Sequence, residues 1–256
     1  FDYGKYFIEL NFPSYNDDNY YLATSMSYDG KFILARGSDG RLYLSNDFGN
    51  TWREIKPAGD TNQLLFTTSM SYDGKFILAR GSEGSLYLSN DFGNTWREIK
   101  PAGNYDKYWR TTSMSHDGKF MLAGAYEGRL YLSNDYGNTW REIKPAGDTN
   151  QYWSTTSMSH DGKFMIAGAY EGRLYFSNDY GNTWNTLEPK PLKKIYLSKC
   201  IISSNGNNIL IRNENNKILL SNDTGRTWRT INPIKDSTLL WSSFSMDGNG
   251  DKILAS

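Results

Sequence analysis

Pairs of large apolar residues recur at a constant interval along this chain, as Tyr20-Tyr21, Leu64-Leu65, Tyr108-Trp109, Tyr152-Trp153, Tyr196-Leu197 and Leu240-Trp241. Two more rings, Tyr126 and Tyr170, are each followed by an acid, Glu127 and Glu171. Aromatic platforms beside amide and carboxylate groups suit sugar rings, whose C–H faces stack on π surfaces while their hydroxyls take hydrogen bonds. The ligand-binding candidates are Tyr126, Tyr170, Tyr108, Trp109, Tyr152, Trp153, Tyr20 and Trp241, with Tyr126 and Tyr170 foremost. Trp109 and Trp153 have a competing role, because a ring at a strand start can fill an interior instead of facing a ligand.

Catalytic chemistry is harder to assemble. A glycosidase needs two carboxyl groups about 5 to 9.5 Å apart in environments that split their pKa values. Here Glu127 and Glu171, or Asp60 and Asp148, come as equivalents rather than as an acid and a base, so no catalytic residue is assigned. Only the divergent run Arg212-Asn-Glu-Asn-Asn keeps an asymmetric site open. His116 and His160 stand before Asp-Gly turns where Tyr28 and Tyr72 stand elsewhere, and read as surface turn residues. Cys200, the single cysteine, lies in an apolar stretch and reads as an inert buried thiol. With so few His and Cys residues, no metal and no cofactor is expected. Lys190, Lys193 and Lys194 form a basic cluster that either keeps a loop solvated or docks an acidic partner.

Composition narrows the partners. Lys plus Arg and Asp plus Glu each number 28, so no long-range field draws in nucleic acid or an anionic membrane. Aromatics at 15% are too many for a disordered chain. No run approaches the roughly 20 apolar residues of a membrane span. Phe1 follows no leader and no initiator Met, which suggests a trimmed or incomplete chain. The compartment is open, and secretion or surface display would fit a removed leader.

A repeat positions all of these side chains. The octet Ser-Asn-Asp-aromatic-Gly-Asn-Thr-Trp begins at Ser45, Ser89, Ser133 and Ser177, with a variant at Ser221, each 44 residues after the last. A period of about 40 to 50 residues marks a solenoid or propeller. In the unit from Thr155, a strand A ends at the tight-turn pair Asp161-Gly162; a nearly all-apolar strand B, Lys163 to Ala169, ends at Glu171-Gly172. Arg173 to Ser177 is strand C, the octet is a turn, and Trp184 opens a strand D that Pro189 ends. Four antiparallel strands per period make a propeller blade. The chain therefore predicts one all-β domain over residues 1–256, a six-bladed β-propeller. Residues 1–7 are a degenerate octet that, with Ser242 to Met246 and Lys252 to Ala255, gives a sixth blade shared by both termini. Its strand C has no counterpart in the sequence.

Ser-x-Asp-x-Gly-x-Thr-Trp is the pattern of the Asp box, and five close copies make the chain resemble the sialidase-like, Asp-box (BNR) propeller superfamily over its whole length. The resemblance implies that the boxes brace peripheral turns away from the ligand face. Asp47, Asp91, Asp135, Asp179 and Asp223 would accept turn amides, Gly49 and its equivalents would take left-handed angles, and Trp52, Trp96, Trp140, Trp184 and Trp228 would pack between strands. It also raises a sialidase-like activity, which implies three arginines for a substrate carboxylate, a Tyr–Glu pair and an Arg-Ile-Pro motif; the last is absent from the sequence. Arg53, Arg97 and Arg141, with Arg41, Arg129 and Arg173, are expected to pair with acids such as Glu54, Glu98 and Glu142.

The expectation is a non-catalytic recognition or scaffold propeller that takes glycan first and protein second through the loop face opposite the boxes. A glycoside hydrolase, with arginines converging at the central cavity beside a Tyr–Glu pair, is one alternative. An assembly factor or structural subunit is the other.

Overall fold

The computed structural model describes residues 21–61, 63–82, 84–103, 107–189, 197–213, 217–231 and 244–255. The first octet, Tyr20, Trp241 and Lys190, Lys193 and Lys194 lie outside this set. The described residues form antiparallel sheets without a helix: five of four strands and one of two. In the fourth, strand A is Trp153–Met158, B is Met165–Ala169, C is Leu174–Ser177 and D is Asn185–Leu187, hydrogen-bonded in that order. Equivalent A strands are Tyr21–Met26, Leu65–Met70, Trp109–Met114 and Leu197–Ile202. The sixth sheet pairs Phe244–Met246 with Ile253–Ala255. These sheets are the blades of a six-bladed propeller.

Strand B explains why the sheets stack. Met165 to Ala169 is buried on both faces because another blade covers each. Apolar clusters run between neighbours: one joins Leu34 and Leu44 of the first blade to Leu65, Ile77 and Trp96 of the second. Along strand A, hydroxyls bridge blade to blade, Ser69 to Thr112 at 2.8 Å and Thr111 to Thr156 at 3.0 Å, and Thr155 Oγ1 accepts the Cys200 amide at 2.9 Å. Cys200 is buried and its thiol is pushed up to about 12 by that burial, an inert group as the apolar stretch implied.

The octets are turn braces. In the third, Ser133 Oγ accepts the Gly137 amide at 2.9 Å and donates to Asp135 at 2.8 Å. Asp135 also accepts the Thr139 amide and hydroxyl at 2.8 and 2.6 Å. The same bonds recur around Asp47, Asp91, Asp179 and Asp223. Left-handed backbone extends beyond the expected glycine: Tyr136 has φ 63° and Gly137 has φ 73°. An aromatic residue tolerates this strained angle because its ring is held from outside the turn, Tyr136 stacking on Phe76 of the preceding blade at 5.3 Å.

Strand D corrects one expectation. Arg53, Arg97 and Arg141 reach the next blade's box, Arg97 donating to the Gly137 carbonyl at 2.9 Å, rather than pairing with their neighbouring glutamates. Two of the three strand C arginines pair as expected, Arg41 with Glu54 at 3.7 Å and Arg129 with Glu142 at 3.5 Å, whereas Arg173 has Thr186 at the equivalent place and no ion pair among the described residues. The carbonyls of Gly93 and Gly181 also accept the indole N–H of their own box tryptophan, so the arginine from the preceding blade takes the second lone pair.

Removing the buried hydroxyl in Ser133→Ala strands the Gly137 amide and should cost about 1 to 3 kcal/mol in urea unfolding; an unchanged midpoint would refute the brace. The Thr227 hydroxyl, then its amide, lowers Asp223 to about 2 from 3.8. A carboxylate held low stabilises the fold above its ordinary value. Stability should therefore fall as pH drops from 3.8 through about 2. A carboxyl titration of Asp223 centred near 3.8 would contradict this.

Candidate functional site

Antiparallel order puts the A–B and C–D turns, with the boxes, at one end of each blade, and the B–C turns and D–A connections at the other. The candidate rings gather at that second end. Tyr108 and Tyr126 share the third blade, where the Tyr126 amide donates to the Tyr108 carbonyl at 2.6 Å; in the fourth, the Tyr170 amide donates to Tyr152 at 2.7 Å. Across the two blades Tyr126 meets Tyr152 edge to face at 4.9 Å, and the Tyr152 hydroxyl donates to Glu127 at 2.6 Å. Tyr108, Tyr126 and Tyr170 expose 67%, 45% and 38% of their surface, so three of the four can meet a ligand directly.

Trp109 and Trp153 do not belong to this surface. Both are core residues, 3% and 2% exposed, and the Trp153 indole N–H donates to the Gly128 carbonyl at 3.1 Å. A bulge in each A strand accounts for it. Trp109 pairs with Ala125 and Thr111 with Gly124, skipping residue 110, so the tryptophan turns inward and Arg110 is left outside the ladder.

That bulge exposes what sequence reading missed. Arg110 and Lys199 line a cavity of about 430 Å³ formed by A strands of four blades, with Ser69, Thr112, Ser113 and Ser157 among its walls. Arg36 and Arg80 lie at the B–C end with their guanidinium groups 4.7 and 4.5 Å from the Phe66 ring centre. Arg36 donates to the Leu65 carbonyl and Arg80 to the Trp109 carbonyl at 2.8 Å. Burial, then repulsion from Arg110 and Arg36, pulls Arg80 down to about 10. Burial, then Arg212, likewise lowers Lys199. Among the described residues no carboxylate pairs with Arg80 or Arg110, and the Arg80 Nε and Ser113 hydroxyl are buried without a partner. Arg110 and Lys199 face one cavity, with Arg80 and Arg36 repelling from beside Arg110 and Arg212 from beside Lys199, in a protein whose net charge is zero.

The signal was present in the sequence: Arg36, Arg80 and Arg212 interrupt apolar B strands at positions where the third and fourth blades have Gly124 and Gly168. A cation in a strand covered on both faces can only reach outward at the strand's end. A Tyr–Glu pair is present at this end, but Glu127, then burial, raises the Tyr152 hydroxyl, which favours the neutral phenol over a nucleophilic phenolate.

Core and surface roles separate by truncation. Trp153→Ala should cost about 3 to 5 kcal/mol in denaturant unfolding, whereas Tyr126→Ala should cost about 1 kcal/mol or less. Equal losses would mean that Tyr126 is structural.

The fold has close structural counterparts. A solved structure titled YCF48 bound to D1 peptide superposes with TM-score 0.55 at 15% identity, covering 96% of this chain and 94% of that one. The GH74 xyloglucanase from Xanthomonas campestris superposes with TM-score 0.61 at 18% identity over 80% of this chain, but only 38% of the enzyme. At these identities the likeness establishes the propeller. No curated protein sequence matches significantly. The family model for sortilin, neurotensin receptor 3, matches residues 40–171, more than half of the chain, and the protein is a member of the Sortilin-Vps10 family.

Proposed function

We propose that the protein is a non-catalytic recognition propeller that binds an acidic segment of a protein partner at the end opposite the boxes. The observation that carries this is that Arg110 and Lys199 line one cavity, with Arg80 buried beside Arg110, and that Arg80 and Arg110 lack a carboxylate partner among the described residues. Buried like charges raise the free energy of the empty protein, and an anionic ligand relieves that cost with charge-assisted hydrogen bonds. Tyr126, whose ring centre lies 5.7 Å from the Arg110 guanidinium, would be an apolar anchor, with the exposed Tyr108 and Tyr170 at the same end of the blades, the residue type that most often dominates such interfaces. The peptide in the YCF48 structure shows that a propeller of this fold can hold one; the choice of an acidic ligand rests on this chain's own cations.

A second reading takes glycan, with Tyr126 and Tyr170 as stacking platforms. An acidic sugar would use the same cations, and the Tyr152–Glu127 pair would then make a hydrolase test worthwhile.

Titration with a fluorescent oligo-glutamate peptide should show binding that weakens steeply with salt. Arg110→Ala should reduce affinity by about tenfold and Tyr126→Ala plus Tyr170→Ala by a similar factor. An oligo-lysine peptide should not bind. Equal binding of both peptides, or none, would refute the reading. Binding to a glycan array that the double tyrosine variant abolishes would favour the sugar.

A further inference from the structure

The side chains on the wall of the A-strand cavity hold more hydrogen-bond donors than their own acceptors use. A hydroxyl carries one hydrogen and accepts at two lone pairs, so two hydroxyls bonded to each other use one hydrogen and keep one. Ser69 and Thr112 form such a pair at 2.8 Å, and Thr111 and Thr156 form another at 3.0 Å. Ser157 accepts the Ile202 amide at 3.2 Å and keeps its own hydrogen. The Ser113 hydroxyl is buried and has no partner among the described residues. One hydrogen from each pair, one from Ser157 and one from Ser113 are therefore left over, all on residues of this wall.

Nothing else on the wall redresses this excess. The two remaining hydroxyls already donate elsewhere, Ser154 to the Gly168 carbonyl at 3.2 Å and Thr155 to the Cys200 sulfur at 3.4 Å. The charged side chains are Arg110 and Lys199, which donate and cannot accept, and among the described residues no carboxylate lines the space. The donors also come from several directions. Ser69 stands on the second A strand, Arg110 and Ser113 on the third, Ser157 on the fourth and Lys199 on the fifth. The hydroxyl pairs run from blade to blade, so these donors are already held in place when the cavity is empty, which lowers the ordering cost of binding.

We infer that this cavity holds a tetrahedral oxyanion, either free phosphate or the phosphoryl group of a modified residue, with Arg110 and Lys199 as its counter-charges and the spare hydroxyl hydrogens turned toward its oxygens. The inference rests on the proposed reading of this site as one for anions, and narrows which anion. A carboxylate presents two oxygens in one plane, whereas a phosphoryl group presents three strong acceptor oxygens and up to two negative charges, spread over a tetrahedron. That distribution suits donors that enter from four strands. At about 30 Å³ per water, a cavity of about 430 Å³ accommodates the anion together with waters that bridge it to the more distant donors.

Calorimetric titration of the intact chain with inorganic phosphate and with acetate, at an ionic strength held constant with chloride, tests this. Phosphate should bind at least about tenfold more tightly than acetate. Lys199→Met keeps an apolar stem and removes the charge, and should weaken phosphate binding by about tenfold. Ser113→Ala should weaken it by a few-fold yet leave the melting temperature of the phosphate-free protein unchanged, because that hydroxyl bonds nothing in the empty fold. A phosphoserine peptide and its glutamate counterpart separate the two sources of the anion. A tenfold preference for phosphoserine would assign the group to a protein partner, and phosphate binding without that preference would assign the cavity to the free ion. Binding of oligo-glutamate with no preference for phosphate over acetate would overturn the inference and leave the acidic-segment reading standing. Phosphate binding without oligo-glutamate binding would uphold the inference and overturn that reading. Phosphate affinity unchanged in both Lys199→Met and Ser113→Ala would also overturn the inference.

Discussion

No blade of this protein is complete by itself; each depends on groups supplied by the next. Strand B is apolar on both faces and requires a neighbour on each side, and the neighbours are held by bonds repeated at the same place in successive blades. Arg97 caps the following box at the Gly137 carbonyl, Tyr136 leans back on Phe76, Thr111 bridges to Thr156, and the A–B turns join amide to carbonyl. Because each contact recurs every 44 residues, a modest stabilisation is multiplied around the ring, as in other repeat architectures.

This dependence decides where variation is tolerated. At the box end the octets are nearly invariant because the serine, aspartate and threonine each satisfy a specific turn amide or hydroxyl. At the other end the corresponding positions diverge. Arg110 stands where the fourth blade has Ser154, and Arg36, Arg80 and Arg212 stand where two blades have glycine. The A-strand bulge turns Trp109 and Trp153 into the core and leaves the next residue outside the ladder, so the residue that varies is the one facing the cavity. An otherwise repetitive scaffold acquires an asymmetric, cationic opening by this route.

The architecture was legible because its signals were periodic. The 44-residue interval, the Asp-Gly and Glu-Gly turns and the two-sided apolar B strands each read directly as blade elements. Register was harder: strand A carries a bulge between Trp153 and Thr155 that no local pattern announces. The tyrosine cluster was legible in part, since Tyr126 and Tyr170 sit in recognisable turns, but exposure and burial of adjacent aromatics, Tyr152 against Trp153, depend on which face the bulge presents. The cations were overlooked because neutral net charge hides a local excess.

On the proposed reading the two ends of the blades do different work: box turns hold the ring together and the opposite opening would receive an acidic partner. Amide hydrogen exchange on the intact chain, with and without saturating oligo-glutamate, tests this most directly. The account predicts added protection around Arg36, Arg80, Arg110 and Tyr126, with the amides of Gly49, Gly93, Gly137 and Gly181 unchanged. Protection confined to those box glycines, with the cationic end unaffected, would contradict it.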